Sequence, residues 1–145
     1  MKKLLLIFFL FGFLFFNNCS KNEKIEIVKI EDDQIEDQMI RAYQEGIVAF
    51  EDRYYLDAAK KFNEAEILFP QSDWAPRSAL MAAYSYYYDD YNNRAISELI
   101  NFFKKYPNDP NTSYAHYLLA MSYYNQIIDE KKDLEPLKNS KKQFE

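Results

Sequence analysis

From Ile40 onward, small and apolar residues recur at steps of three and four between short polar breaks, and the whole pattern returns every 37 residues. Gly46, Ala83 and Ala120 share one column, Ala49, Tyr86 and Tyr123 a second, and Phe50, Tyr87 and Tyr124 a third. Ala58 pairs with Ala95, Phe62 with Leu99, and Phe69-Pro70 with Tyr106-Pro107. Steps of three and four are a helical period, so each unit reads as a helical hairpin. Its first helix carries small residues on one face, such as Ala42, Gly46 and Ala49 or Ala79, Ala82 and Ala83, which let a neighbouring helix come close. Its second helix places an alanine and then a large apolar residue, and stops at a proline. Ser72 or Asp73 is expected to cap the helix holding Trp74, with Pro76 in its first turn, and Asp109-Pro110 predicts a cap followed by a helix start. In the third unit Ser140 and Phe144 take the places of Ala58 and Phe62, but Ser140 lies 45 residues after Ala95. The excess predicts an inserted charged loop from Gln126 to Glu135.

The expected fold is therefore all-α, a short right-handed solenoid of helical hairpins. Its units are residues 38–71, 72–108 and an incomplete 109–145, about two and a half in all. An array this short leaves an apolar face exposed, which predicts weak stability or self-association in isolation. A monomer with a sharp melt at high temperature would contradict that expectation.

The pattern ahead of the repeats is different. Met1-Lys2-Lys3 opens on positive charge, Leu4 to Phe16 is a run of 13 residues that is apolar but for Gly12, and Asn17-Asn18-Cys19-Ser20 follows at once. This is the layout of a signal peptide over residues 1–18. A membrane span needs about 20 apolar residues, and this run is shorter. A cysteine directly behind such a run resembles the lipobox of bacterial lipoproteins, which implies a covalent lipid on Cys19 as the first mature residue. Ser20 behind it, in place of an aspartate, fits release towards the outer membrane. Residues 19–37, with Glu31-Asp32-Asp33 and Glu36-Asp37, read as a charged tether.

Composition narrows the classes further. Two glycines in 145 residues argue against β-rich folds and phosphate-binding loops. A net charge of −5, or −7 once Lys2 and Lys3 leave with a signal peptide, argues against nucleic acid as a partner. One histidine, one cysteine at the anchor and no metal-ligand spacing leave no catalytic constellation, so the chain is expected to be neither an enzyme nor a metal protein. His116 aligns with Ala42 and Ala79 and is read as packing between helices.

The columns resemble the tetratricopeptide repeat, with a period three residues longer than its usual length of about 34. Five segments go beyond that consensus: Ser72-Asp73-Trp74-Ala75-Pro76-Arg77, Leu80-Met81-Ala82-Ala83-Tyr84, Ala95-Ile96, Tyr114-Ala115-His116-Tyr117 and Tyr123-Tyr124-Asn125-Gln126-Ile127. With them the chain resembles the BamD family of outer-membrane β-barrel assembly lipoproteins, over nearly all of Ile40 to Phe144 and apparently cut short at the C-terminus. The resemblance implies a protein lipid-anchored at the periplasmic face of the outer membrane. It also implies partners: an Omp85-type barrel subunit, other assembly lipoproteins and unfolded outer-membrane proteins. The alternative is another periplasmic repeat protein, such as a Tol-associated envelope or division coordinator.

First helices line the inner curve of such an array, and their unused positions face a groove. These are Tyr43, Ile47 and Phe50 in the first unit, Arg77, Leu80, Tyr84, Tyr87 and Tyr88 in the second, and Tyr114, Tyr117, Met121 and Tyr124 in the third. The groove is expected to be aromatic, stacking on extended peptides that end in an aromatic residue, with Arg77 pairing a peptide carboxylate. Packing between hairpins is the competing role for each tyrosine taken alone.

Overall fold

The computed structural model describes residues 32–127 and 133–145, and it contains six helices and no strand among them. They are α1 (Asp32–Glu51), α2 (Tyr55–Leu68), α3 (Trp74–Tyr88), α4 (Asn92–Lys105), α5 (Thr112–Tyr124) and α6 (Glu135–Phe144). They pair as three consecutive antiparallel hairpins, a tetratricopeptide-like array. The period is visible in the boundaries: α2 and α4 run over 55–68 and 92–105, and α1 and α3 end at Glu51 and Tyr88, each 37 residues apart. No described helix is long and apolar enough to cross a membrane. The signal peptide, Cys19, residues 19–31 of the tether and residues 128–132 of the inserted loop lie outside the described residues.

Small residues from the first helices meet large ones from the second. Ala42, Gly46, Ala79, Ala82, Ala83, Ala115 and Ala120 are buried, and Phe62, Leu99 and Phe102 are fully covered against them. Leu118 and Leu119 join Leu99 and Phe102 in one cluster that bridges the second and third hairpins. Each of the first two hairpins stops where its proline requires. Phe69 and Tyr106, the residues before Pro70 and Pro107, leave the helix at φ −140° and −127°.

Two boundaries differ from the sequence reading. Helix α1 begins at Asp32, inside the stretch assigned to the tether. Ile35, Met39, Ala42 and Gly46 form one stripe at helical spacing, Met39 fully buried, while Glu36 and Asp37 face outward. The acids are the solvated face of a helix. The other difference is at α5, which starts at Thr112 and not at Pro110. Asp109 spends its carboxylate on the backbone N–H and amide of Asn111, at 2.8 and 3.0 Å, so Asp109-Pro110 builds the turn before the helix. At α3, Asp73 sits at the cap position without a side-chain cap bond, and the Ser72 hydroxyl donates to the Phe69 carbonyl at 2.8 Å.

The turns inside the first two hairpins share a strained geometry. Arg53 (φ 64°) and Asp90 (φ 61°), again 37 residues apart, adopt the left-handed conformation, and the next amides, Tyr54 and Tyr91, close back on Ala49 and Tyr86. An L-residue there costs about 1 kcal/mol, part of which a glycine loses again to its freedom in the unfolded chain. Arg53→Gly is therefore expected to raise stability by about 0.5 kcal/mol, seen as a higher midpoint in urea at unchanged slope.

Behind the first helices, the second helices of neighbouring hairpins are joined by a polar contact. The Glu66 carboxylate, 8% exposed, accepts from Lys105 Nζ and from the Tyr106 hydroxyl, both at 2.8 Å. Burial and the nearby Glu66 charge hold the Glu98 carboxyl above its ordinary range. A carboxyl with a raised folded-state pKa binds its proton more readily folded than unfolded, so it costs stability at neutral pH. That cost disappears as pH falls through the folded value towards the unfolded one, near 4.3. Glu98→Gln is expected to raise the melting temperature at pH 7 and to lose that advantage near pH 4, as thermal melts across this range would report.

Candidate functional site

The first-helix face carries a continuous ribbon of aromatic rings. Phe50 of α1 stacks on Tyr84 of α3 (centroids 5.5 Å apart, 19° between planes) and meets Tyr55 and Tyr88 edge-on at 5.1 and 5.5 Å. Tyr84 packs on Tyr88 one helical turn away at 4.7 Å, and Tyr87 meets Tyr88 at 6.1 Å. From Tyr84 the ribbon crosses to α5 through Tyr114 at 6.3 Å, continues to Tyr117 at 6.2 Å and ends on Phe144 of α6 at 6.5 Å. It runs through all three hairpins. Tyr88, Tyr117 and Phe144 are at least half exposed, so the rings cover one another along the strip and leave their outer surfaces to solvent.

Burial, with the Tyr88 and Tyr114 hydroxyls against it, pushes the Tyr84 hydroxyl far above its ordinary value. Burial raises Tyr114 as well. The Tyr84 and Tyr114 hydroxyls are thus held protonated as hydrogen-bond donors. A strip with apolar faces and polar tips suits a partner presenting both side chains and unpaired backbone.

Of the residues expected in a groove, Phe50, Tyr84, Tyr87, Tyr88, Tyr114 and Tyr117 come together in this ribbon. Tyr43 belongs elsewhere. It lies between hairpins, edge-on to Phe62 at 5.3 Å and to Trp74 at 5.1 Å, and burial raises its hydroxyl despite the opposing charge of Arg77. Arg77 is exposed and stands over Trp74, its guanidinium carbon 5.1 Å from the ring, beside Tyr43 and not on the ribbon. Tyr124 is 57% exposed and has no ring partner among the described residues. Leu80 is buried among Ala83, Leu99 and Leu118, so it is core. Tyr55 and Phe144, which close the two ends, escaped the sequence reading because they sit on second helices; Phe144 was visible only as the counterpart of Phe62. His116 packs as its column suggested, stacked on Phe103 at 4.2 Å, with Nδ1 3.0 Å from Oε1 of Gln143. Among the described residues no group of three or more His, Cys, Asp and Glu is placed to hold a metal ion.

The family whose description is outer membrane lipoprotein (YfiO) matches residues 35–145, most of the chain and all three hairpins. The chain belongs to the YfiO family. Its relatives carry the name outer membrane protein assembly factor BamD. The one from Caulobacter vibrioides is 38% identical over 77 residues, covering 53% of this chain and 25% of the relative. The one from Rickettsia prowazekii is 33% identical over 103 residues, 71% of this chain and 41% of the relative. A third, from Neisseria meningitidis serogroup B, is 36% identical over 72 residues, 50% and 27%. The chain thus spans a quarter to two-fifths of the length of these relatives, and the family match over residues 35–145 includes the helices that carry the ribbon.

Proposed function

We propose that the chain is a non-catalytic scaffold of outer-membrane β-barrel assembly, lipid-anchored through Cys19 at the periplasmic face of the outer membrane. In this reading it holds unfolded outer-membrane protein segments on the aromatic ribbon and works beside an Omp85-type barrel subunit and other assembly lipoproteins. The observation that carries it is the ribbon itself. Exposed rings joined across three hairpins form a surface long enough for several residues of an extended chain, and extended chains bring the backbone N–H and C=O groups that tyrosine hydroxyls complement. Family membership and the name that the relatives carry support the setting. No cofactor other than the lipid enters, and nucleic acid has no place in it.

The test is a photoreactive side chain placed singly at Tyr88, Tyr117 and Asn101 in the full chain, irradiated in living cells. Adducts with nascent outer-membrane proteins at Tyr88 and Tyr117 but not at Asn101, on the exposed side of α4, are the expected result. Adducts confined to Asn101 would move the substrate off the ribbon, and adducts with Tol components alone would overturn the assignment. Cys19→Ala is expected to move the protein out of the outer-membrane fraction.

A further inference from the structure

We propose that Glu66, Lys105 and Tyr106 form a clasp that fixes the angle between the first and second hairpins and so holds Phe50 in register with Tyr84. In a solenoid each unit touches only its neighbours, and the small rotation between units sets the shape of the binding face. Besides the core packing of α1 and α2 on α3, where Phe62 meets Ala82 and Tyr43 meets Trp74, the two hairpins are fastened at two outer places. On the first-helix face the fastening is the Phe50–Tyr84 stack, together with the edge contact of Phe50 on Tyr88. Between second helices it is the carboxylate of Glu66 near the end of α2, gripped by Lys105 and Tyr106 at the end of α4. The grip spans 39 and 40 residues of sequence, so it reports a relation between units and nothing within one.

The repeat itself supports the assignment. The position 37 residues after Glu66 is Phe103, and it too fastens its hairpin to the next, by stacking on His116 of α5 at 4.2 Å. One column therefore supplies the inter-unit fastener twice, polar at the first junction and aromatic at the second. The first is the more directional. A carboxylate held almost out of water by an ammonium and a hydroxyl has a narrow range of favourable geometries, whereas ring faces slide. Loss of the negative charge leaves Lys105 free to turn to solvent, where it is already 57% exposed, and the second helices free to part. The rings on the other face then lose their alignment. Glu66 is thus a positioning residue for the ribbon, which is the surface the function above rests on.

Spin labels at Gln44→Cys on α1 and Asn101→Cys on α4, in the full chain carrying Cys19→Ser, report the angle by pulsed dipolar spectroscopy. Glu66→Gln and Lys105→Met are expected to shift or broaden the distance distribution, while Lys105→Arg keeps it as in the parent. Affinity for a synthetic peptide of alternating aromatic and polar residues is expected to fall at least about fivefold in Glu66→Gln, the low end of coupling between distant sites, with helix content by circular dichroism unchanged. Unchanged distances in Glu66→Gln would overturn the clasp, as would a Lys105→Arg variant no closer to the parent than Lys105→Met. Shifted distances in a chain whose parent binds no such peptide would uphold the clasp and count against peptide binding by the ribbon.

Discussion

Phe62→Ala is expected to lower the free energy of unfolding by about 3–5 kcal/mol, the largest stability effect of any single substitution considered. Phe62 is fully buried where α2 meets α1 and α3, among Ala58, Ala82, Tyr43 and Phe50, and the bulk of those neighbours leaves no way to close a ring-sized hole. The same ring explains Gly46. A Cβ at that position stands 2.8 Å from two atoms of the fully buried Phe62 ring, so the ring must shift against its core neighbours to admit it. Gly46→Ala is therefore expected to destabilise by about 1–2 kcal/mol by overpacking, although alanine is by propensity the better helix residue by about 1 kcal/mol. The second unit shows the compensated form, with Ala83 and Leu99 at the matching positions and both fully buried. The double variant Gly46→Ala, Phe62→Leu is accordingly expected to be more stable than either Gly46→Ala or Phe62→Leu alone. Urea titrations of the set measure this directly, and strict additivity would contradict a shared steric cause.

This pairing of small with large is also what made the fold legible. The column of Gly46, Ala83 and Ala120 against the column of Phe62 and Leu99 specifies hairpins before any propensity is considered, and Pro70 and Pro107 mark where each stops. What the sequence hid were starts. Acidic residues at Glu36 and Asp37 disguised the first turns of α1 as a tether, because a solvated helix face and a solvated spacer share a composition. Asp109-Pro110 carries a cap signal, but the Asp109 carboxylate is satisfied by Asn111 one step short of the helix.

The site was legible as a set of columns but not in its exposure. Tyr43, Leu80 and Tyr117 occupy one repeat position, and their fates diverge: half-buried under Trp74, buried in the core at 8% exposure, and half exposed on the ribbon. A helical period decides which way a residue points. Whether it is then covered depends on the bulk of what packs against it, Trp74 of the next unit for Tyr43 but Tyr114 and Phe144 of its own unit for Tyr117, and a repeat pattern does not encode that. The ribbon's crossing points, Phe50 on Tyr84 and Tyr84 on Tyr114, depend in the same way on the rotation between units.

The exposed rings of the ribbon, unlike Tyr84, lie outside the buried clusters, which gives the second large expectation. Tyr88→Ala and Tyr114→Ala are expected each to weaken binding of an aromatic-ended extended peptide about 30-fold, the effect of removing a hot-spot ring of about 2 kcal/mol. Both side chains are exposed, at 50% and 43%, and neither belongs to a buried cluster, so the melting temperature is expected to stay within a few degrees of the parent. Tyr84→Ala behaves differently. Tyr84 stacks on Phe50 and packs against the core shared by the second and third hairpins, so its loss lowers stability and affinity together. Tyr124→Ala is the control, since it removes an equally exposed tyrosine that touches no ring of the ribbon. Fluorescence anisotropy titrations of the four variants at matched folded fraction distinguish a ribbon from a merely sticky surface. Equal losses for Tyr124 and Tyr88 would mean that exposure alone, and not the ring-to-ring path from Phe50 to Phe144, governs binding.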